Sequence, residues 1–244
     1  MATLLATIAI SFLSLSGSFF LFLKDQFVRR ISLGLLALAA GALLGTAFLH
    51  LLPEVLENGQ FPEHGFLILL GGFLIFYAGE KVLHLHHGAG GKEEHSPAAL
   101  GMLSLLGDAT HNFIDGVILA VAFLVDIKLG LVTAAAVALH EVPQEIAEFG
   151  VLLYAGFSKY KALFLNFLSA VTVIVGGVVG FLFQETLLSF IPYFLLFASG
   201  SFLYIAASDF IPEFKKERDF TKALVLSAIF FFGIFLMWSF TLIE

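Results

Sequence analysis

PAALGMLSLLGDATHNFIDGVILAVAFLV, residues 97–125, and LGLVTAAAVALHEVPQEIAEFGVLLYAGF, residues 129–157, decide the architecture. Each is longer than the roughly 20 apolar residues that a membrane-spanning helix needs. Each also carries polar groups at a depth where lipid is the solvent. At about 100° per residue, Asp108, His111, Asn112 and Asp115 fall on one stripe of the first run. His140, Glu141, Gln144, Glu145 and Glu148 share one broad face of the second. The remaining faces of both runs are apolar.

Six further stretches qualify as spans: about 1–23, 31–56, 65–85, 162–183, 192–211 and 221–243. Hydrophobic residues make up 59% of the 244 and charged residues 13%, against about 25% charged in a soluble domain. Almost nothing lies outside the apolar runs. The expected fold is all-α, a polytopic membrane protein of eight transmembrane helices forming a single domain over residues 1–244. The first stretch has no Lys or Arg before it, so it lacks the basic start of a signal peptide and reads as a retained helix. With no cysteine in the chain, disulfides and thiolate metal ligands are excluded.

Basic residues orient the spans. Lys24, Arg29 and Arg30 follow span 1. Lys81 and Lys92 lie at the end of span 3, Lys159 and Lys161 follow span 5, and Lys215, Lys216, Arg218 and Lys222 follow span 7. Lys128 alone falls on the other side. Loop Lys and Arg stay cytoplasmic, so eight spans place both termini outside, in an integral multi-pass protein of the plasma (inner) membrane. The external loop between spans 2 and 3 carries Glu54, Glu57, Glu63 and His64. The cytoplasmic loop at about 85–97 is rich in His and Gly: His84, His86, His87 and His95 cluster there, and neutral imidazole is a common metal ligand. A short internal echo is also visible. Span 2 ends His50-Leu51-Leu52-Pro53-Glu54 and span 7 ends Asp209-Phe210-Ile211-Pro212-Glu213, on helices that run in opposite directions. Inverted repeats are frequent in transporters.

The acids of spans 4 and 5 carry the functional reading. Three ionised carboxylates at the depth of Asp115, Glu141 and Glu145 would cost on the order of 8–10 kcal/mol on insertion scales. No Lys or Arg lies in either run to neutralise them. A bound cation relieves the set best, because its neutral members, His, Asn and Gln, are themselves ligand types. The i, i+4 pairs His111/Asp115 and His140/Gln144 each aim two ligands at one place. Asn112 and Glu141 lie one residue along, where a second ion would sit with Asp115 and Gln144 between the two. Nitrogen and oxygen donors without sulfur suit Zn²⁺, Fe²⁺, Mn²⁺ or Co²⁺. Asp108 and Glu148, nearer the helix mouths, read as relay positions or as interfacial groups. Pro143 removes a helical hydrogen bond and deprives the Leu139 carbonyl of its donor, and interrupted helices often line transporter ion sites.

The two segments resemble the ZIP (Zrt- and Irt-like protein) family of metal transporters. His111, Asn112, Asp115 and Gly116 match its His-Asn-x-x-Asp-Gly pattern. His140, Glu141, Pro143 and Glu145 match its His-Glu-x-Pro-His-Glu pattern, and Gln144 stands where the pattern has its second His. That departure bears on first-site affinity and metal preference. The resemblance extends over the whole chain. It implies that metal moves toward the cytoplasm through a binuclear site between helices 4 and 5. The site residues it implies are His111, Asn112, Asp115, His140, Glu141, Gln144 and Glu145. It implies zinc as the foremost substrate, with iron, manganese and cadmium as alternatives, and no resident cofactor. It also implies a homodimer, helices 1, 4, 5 and 6 moving against 2, 3, 7 and 8, and roles for His50 and Asp209 as entry or exit ligands.

The competing reading is an intramembrane metal-dependent hydrolase. A His-Glu-x-x-His protease motif needs two His one turn apart on a helix. In this chain His140-Glu141-Val142-Pro143 runs into Gln144, so the second His is missing and a proline interrupts the turn.

Overall fold

The computed structural model describes residues 2–22, 24–57, 61–87, 97–125, 127–183 and 187–242, and these are almost wholly helical. Helix α1 (Ala2–Ser11) continues as a 3₁₀ segment, Phe12–Phe22. Helix α2 (Asp25–Thr46) passes through a π-helical turn, Ala47–Leu51, into α3 (Leu52–Glu57). Then follow α4 (Gly65–His87), α5 (Pro97–Val125), α6 (Ile127–Tyr154), α7 (Lys159–Ala170) and α8 (Thr172–Leu182). After a short 3₁₀ turn, Leu188–Phe190, α9 (Ile191–Tyr204) runs through a second π turn, Ile205–Phe210, into α10 (Ile211–Lys215). Helix α11 (Phe220–Thr241) ends the described chain.

Among the described residues, six helical segments are long and apolar enough to cross a membrane: Ala2–Phe19, Ile31–Leu56, Leu100–Leu124, Lys159–Leu182, Ile191–Lys215 and Phe220–Thr241. Helices α4, of 23 residues, and α6, of 28, stand outside that six. At about 1.5 Å per residue they are nonetheless as long as the roughly 30 Å hydrocarbon layer is thick. The polarity of the molecule is inverted relative to a soluble protein. Phe66, Leu67, Tyr160, Phe181, Phe220 and Phe231 face outward, whereas His111, Asn112, Glu141 and Glu145 are fully buried.

Local chemistry sets the breaks. At the end of α6 the Phe157 N–H reaches the Leu152 carbonyl and the Gly156 N–H that of Leu153. Gly156 takes φ 90°, the left-handed end that glycine allows. Ser158 then caps α7, its Oγ accepting from the Lys161 N–H. Between α7 and α8, Thr172 turns its hydroxyl onto the Ala109 carbonyl of α5, and Ser169 Oγ lies 3.3 Å from the Leu105 carbonyl. Helix α6 itself runs unbroken through Pro143, so the expected interruption is confined to one missing backbone donor; proline is tolerated in this way where neighbouring groups compensate.

Glycines bring three helix pairs to backbone contact: Gly116 with Gly176 (α5 and α8), Gly72 with Gly200 (α4 and α9) and Gly41 with Gly233 (α2 and α11). A methyl added at Gly116 would stand 2.0 Å from the Val173 carbonyl oxygen, and one at Gly176 would stand 1.9 Å from that of Phe113. Without a hydrophobic drive between helices in lipid, such close approach through small residues is what holds them. Gly116 directly follows Asp115, so the same turn that presents the acid anchors α5 against α8. Gly116→Ala should therefore cost about 1–3 kcal/mol or more, read as a lower thermal unfolding midpoint in detergent. Gly71→Ala, with nothing within 4 Å of the new methyl, should leave the midpoint unchanged or raise it. Equal midpoints for the two variants would show that α5 and α8 do not meet through Gly116.

Candidate metal centre between α5 and α6

One residue separates α5 from α6, and the two helices pack along their length in opposite directions. Their register is fixed at two levels. His111 Nε2 lies 3.5 Å from Glu141 Oε1, and Ser104 donates its hydroxyl to Glu148 Oε2. Each step of three or four residues toward the start of α5 is matched by an equal step toward the end of α6. Asp108 and Gln144 thus stand at the level between, and they line one small cavity.

At the His111 level the ligand types converge. His111 Nε2 is also 3.5 Å from Asp115 Oδ2, and ligand atoms of His111, Asp115 and Glu141 all lie within 4.8 Å of one another. A zinc ion with bonds of about 2.0–2.2 Å in a tetrahedral arrangement places its ligand atoms about 3.3–3.6 Å apart. Both His111 separations have that value. All three residues are buried, and the imidazole is held from the far side by Phe202, with ring centroids 5.2 Å apart.

The other expected residues are distributed around this trio. Asn112 is buried, donates its Nδ2 to the Asp108 carbonyl at 3.1 Å, and keeps Oδ1 without a hydrogen-bond partner among the described residues. Gln144 is buried, and its Oε1 is likewise without such a partner. Glu145 is fully buried but turned toward α7: its Oε2 accepts from Asn166 Nδ2 at 2.6 Å. His140 belongs to α6, and its side chain lies outside the described residues, as do the side chains of the His-rich segment at 84–95.

Asp108 and Glu148 are buried rather than exposed at helix mouths. Asp108 Oδ2 accepts from Ser169 Oγ at 2.6 Å. The π turns hold His50 and Asp209. Asp209 is buried, with Oδ2 lacking a hydrogen-bond partner among the described residues. Glu80, absent from the sequence reading, is buried in α4 and accepts from the Tyr204 hydroxyl.

Sequence reasoning also missed the residues that orient the acids. Ser104, Ser169 and Asn166 donate to Glu148, Asp108 and Glu145 in turn. Ser104 sits one turn before Asp108 and thus on the acidic stripe, which is the signal that would have found it. Asn166 and Ser169 belong to a different run, and only their polarity within LFLNFLSA, residues 163–170, marks them. Asn166 Nδ2 also lies within reach of the Glu145 carbonyl at 3.3 Å and the Ser14 carbonyl at 3.5 Å, so it ties α6 to the 3₁₀ segment of the first span. Asn166→Leu removes these donors and should cost about 1–3 kcal/mol for the buried oxygen left behind. The measurement is thermal unfolding of Asn166→Leu beside Asn166→Leu/Glu145→Gln, in which the neutral amide should recover part of the loss. An unchanged midpoint for the single variant would mean that Asn166 does not hold the carboxylate.

Comparison with known proteins identifies a family. The family described as ZIP Zinc transporter matches residues 1–102 and 86–241. The chain is 34% identical over 230 residues to "Zinc transporter ZIP13" of Pongo abelii, covering 85% of this chain and 66% of that protein. It is 30% identical over 264 residues to "Zinc transporter ZIP13" of Homo sapiens, covering 85% and 70%. It is 31% identical over 251 residues to "Zinc transporter ZIP4" of Homo sapiens, covering 75% and 39%. The chain thus spans just under two thirds of the length of the Pongo abelii relative, at 66%. With its family match running from residue 1 to residue 241, the chain belongs to the ZIP zinc transporter family.

Proposed function

We propose that this protein carries divalent transition-metal ions, zinc foremost, across a membrane toward the cytoplasm, and that it does so through a binuclear site between α5 and α6. The observation that carries this reading is His111 Nε2 at 3.5 Å from a carboxylate oxygen of both Asp115 and Glu141, inside a molecule whose outer face is apolar. Family membership supports a transporter, and the relatives' names supply zinc. In this reading α4 and α6 complete eight spans, residues 1–244 form one transport domain, and the weight of basic residues on one side places both termini outside in a plasma (inner) membrane. The family resemblance alone supports a homodimer, and the distribution of partners is otherwise simple: metal ions and lipid.

The mechanism follows from the donor set. An ion entering the bundle exchanges water for His111, Asp115 and Glu141, whose two negative charges offset the dehydration cost. His140 and Gln144 would complete a first ion's shell. Asn112 and Glu145 would serve a second, with Asp115 and Gln144 shared between the ions. Sliding of α1, α5, α6 and the α7–α8 pair against the other helices would open the site to one side at a time. The hydrolase alternative draws no support from the family, and Gln144 supplies no second imidazole.

Two outcomes test the reading. Asp115→Ala should abolish zinc uptake into proteoliposomes while the variant still inserts and purifies as a folded protein. Near-normal uptake would remove the two-helix site. Gln144→His should change metal preference rather than create transport. Imidazole suits zinc, whereas oxygen donors favour Mn²⁺, so the variant should show a lower half-saturation concentration for zinc, a lower maximal rate and less relative Mn²⁺ uptake. Identical metal ranking and zinc affinity in competition uptake would take Gln144 out of the site.

A further inference from the structure

Between the His111 level and the Ser104 level lies a cavity of about 20 Å³, lined by Ser104, Asp108, Gln144 and Glu148 and closed by Ala39, Ala42, Leu43, Phe202, Ile205 and Phe210. A void of this size accommodates about one water molecule or one small cation. Its polar wall holds only oxygen donors. Two of them, Glu148 Oε1 and Gln144 Oε1, are buried without a hydrogen-bond partner among the described residues. The side chains that carry them are more than nine-tenths buried, at 7% and 6% exposure. The other Glu148 oxygen and one Asp108 oxygen are each held by a serine hydroxyl, Ser104 and Ser169. Both carboxylates are therefore fixed in orientation by neutral donors, and each retains a second oxygen. Neither hydroxyl neutralises a negative charge. A buried polar group without a partner is costly, and Glu148 and Gln144, lining one void the size of an ion beside a second acid, make that demand twice.

We propose that Asp108 and Glu148 form a third position for a divalent cation, all-oxygen and one helical turn beyond His111 toward the start of α5, with Gln144 at its border with the His111 level. The proposal rests on the transporter reading and extends it. By the charge distribution, the start of α5 is the cytoplasmic side, so this position lies on the way out. Phe202 packs on the His111 ring and also lines the cavity, which makes it the partition between the two levels. The donor types define the role. An imidazole-containing cluster grips zinc, whereas carboxylate and amide oxygens hold the same ion less selectively and favour harder ions such as Mn²⁺. An ion leaving His111 would be received by a weaker site of matching charge about 5 Å away, one turn along the helix. A second ion arriving behind it would drive it onward by repulsion, as adjacent sites do in conducting pores.

The test is Mn²⁺ binding to the purified 244-residue chain in detergent, followed by loss of the free-ion paramagnetic resonance signal. The variants are Glu148→Gln, Asp108→Asn and Ala42→Leu; the last fills the void and leaves both acids in place. Each should bind one Mn²⁺ fewer than the unmodified chain, or bind it at least about tenfold more weakly, with zinc still bound at the His111 level. Asp115→Ala should show the reverse, losing zinc and flux but keeping the Mn²⁺ assigned here. In liposomes, Glu148→Gln should lower the maximal zinc rate while leaving half-saturation within about twofold. Should Glu148→Gln fail to fold, Ala42→Leu and Asp108→Asn still decide the question. Mn²⁺ stoichiometry and affinity unchanged in the folded variants would overturn the third position and leave the transport reading intact. Absence of flux in the unmodified chain would instead overturn the transport reading, and the Mn²⁺ count would still report on this cavity.

Discussion

Carboxylates taken out of water and held between two helices govern the rest of this structure. Each costs several kcal/mol to bury, and α5 and α6 together bury Asp108, Asp115, Glu141, Glu145 and Glu148. The helices carry only Lys128 as a basic residue, at the start of α6. Relief is therefore local and neutral. Serine hydroxyls meet Asp108 and Glu148, an amide meets Glu145, and an imidazole stands between Asp115 and Glu141. Neutral donors orient a carboxylate and leave its charge in place. That combination makes the interior receptive to a cation of the right radius, and it would be lost if lysines or arginines paired with the acids.

The scaffold serves this requirement by keeping the two helices close and in register. Gly116 lets α5 approach α8 to backbone contact immediately beside Asp115. Ser169 and Thr172 mark the break between α7 and α8 and tie it to α5. Asn166 joins Glu145 to the first span through the Ser14 carbonyl. The groups that orient the acids therefore come from α5 itself and from the α7–α8 pair, while α2 and α9 supply the apolar closure through Ala39, Ala42, Leu43 and Phe202. A charged centre held by one group of helices and sealed by another suits motion of one group past the other.

Much of this was legible in the residues. Spacing alone put His111 and Asp115 on one stripe and set Glu141 one residue along, beside Asn112; the structure instead brings Glu141 together with His111 and Asp115. Helical periodicity reports which residues share a face of one helix. It does not report which third helix a side chain turns toward, so the engagement of Glu145 by Asn166 was hidden, as was the pairing of Glu80 with Tyr204. The reading of Asp108 and Glu148 as exposed interfacial groups fails because distance along a span measures depth, whereas exposure depends on what α2 and α9 cover. The eight expected spans correspond to helical stretches, but hydropathy cannot foresee that the first would tighten to 3₁₀ over Phe12–Phe22 or that the sixth would divide at Val171. At those two places the Ser14 and Thr172 hydroxyls lie beside the Ser11 and Ser169 carbonyls.

The echo between spans 2 and 7 gains a physical basis from the same reasoning. Pro53 and Pro212 each lack the N–H that would close a helical bond to the fourth residue before. In both places the backbone ahead of the proline widens into a π turn. The Leu52 N–H returns to the Ala47 carbonyl, and the Ile211 N–H to that of Ala206. A π turn inserts an extra residue into the helical repeat and re-aims the side chains around it. The re-aimed positions carry His50 and Asp209, the two polar residues of the echo. The packing is reciprocal as well: the first π turn lies against α9, which leads into the second, and the second lies against α2, which leads into the first. One local rule, a proline that displaces the hydrogen-bond register of its helix, thus acts twice in opposite directions. It places one ionisable side chain at each crossing of the two helices that seal the cavity beside the centre.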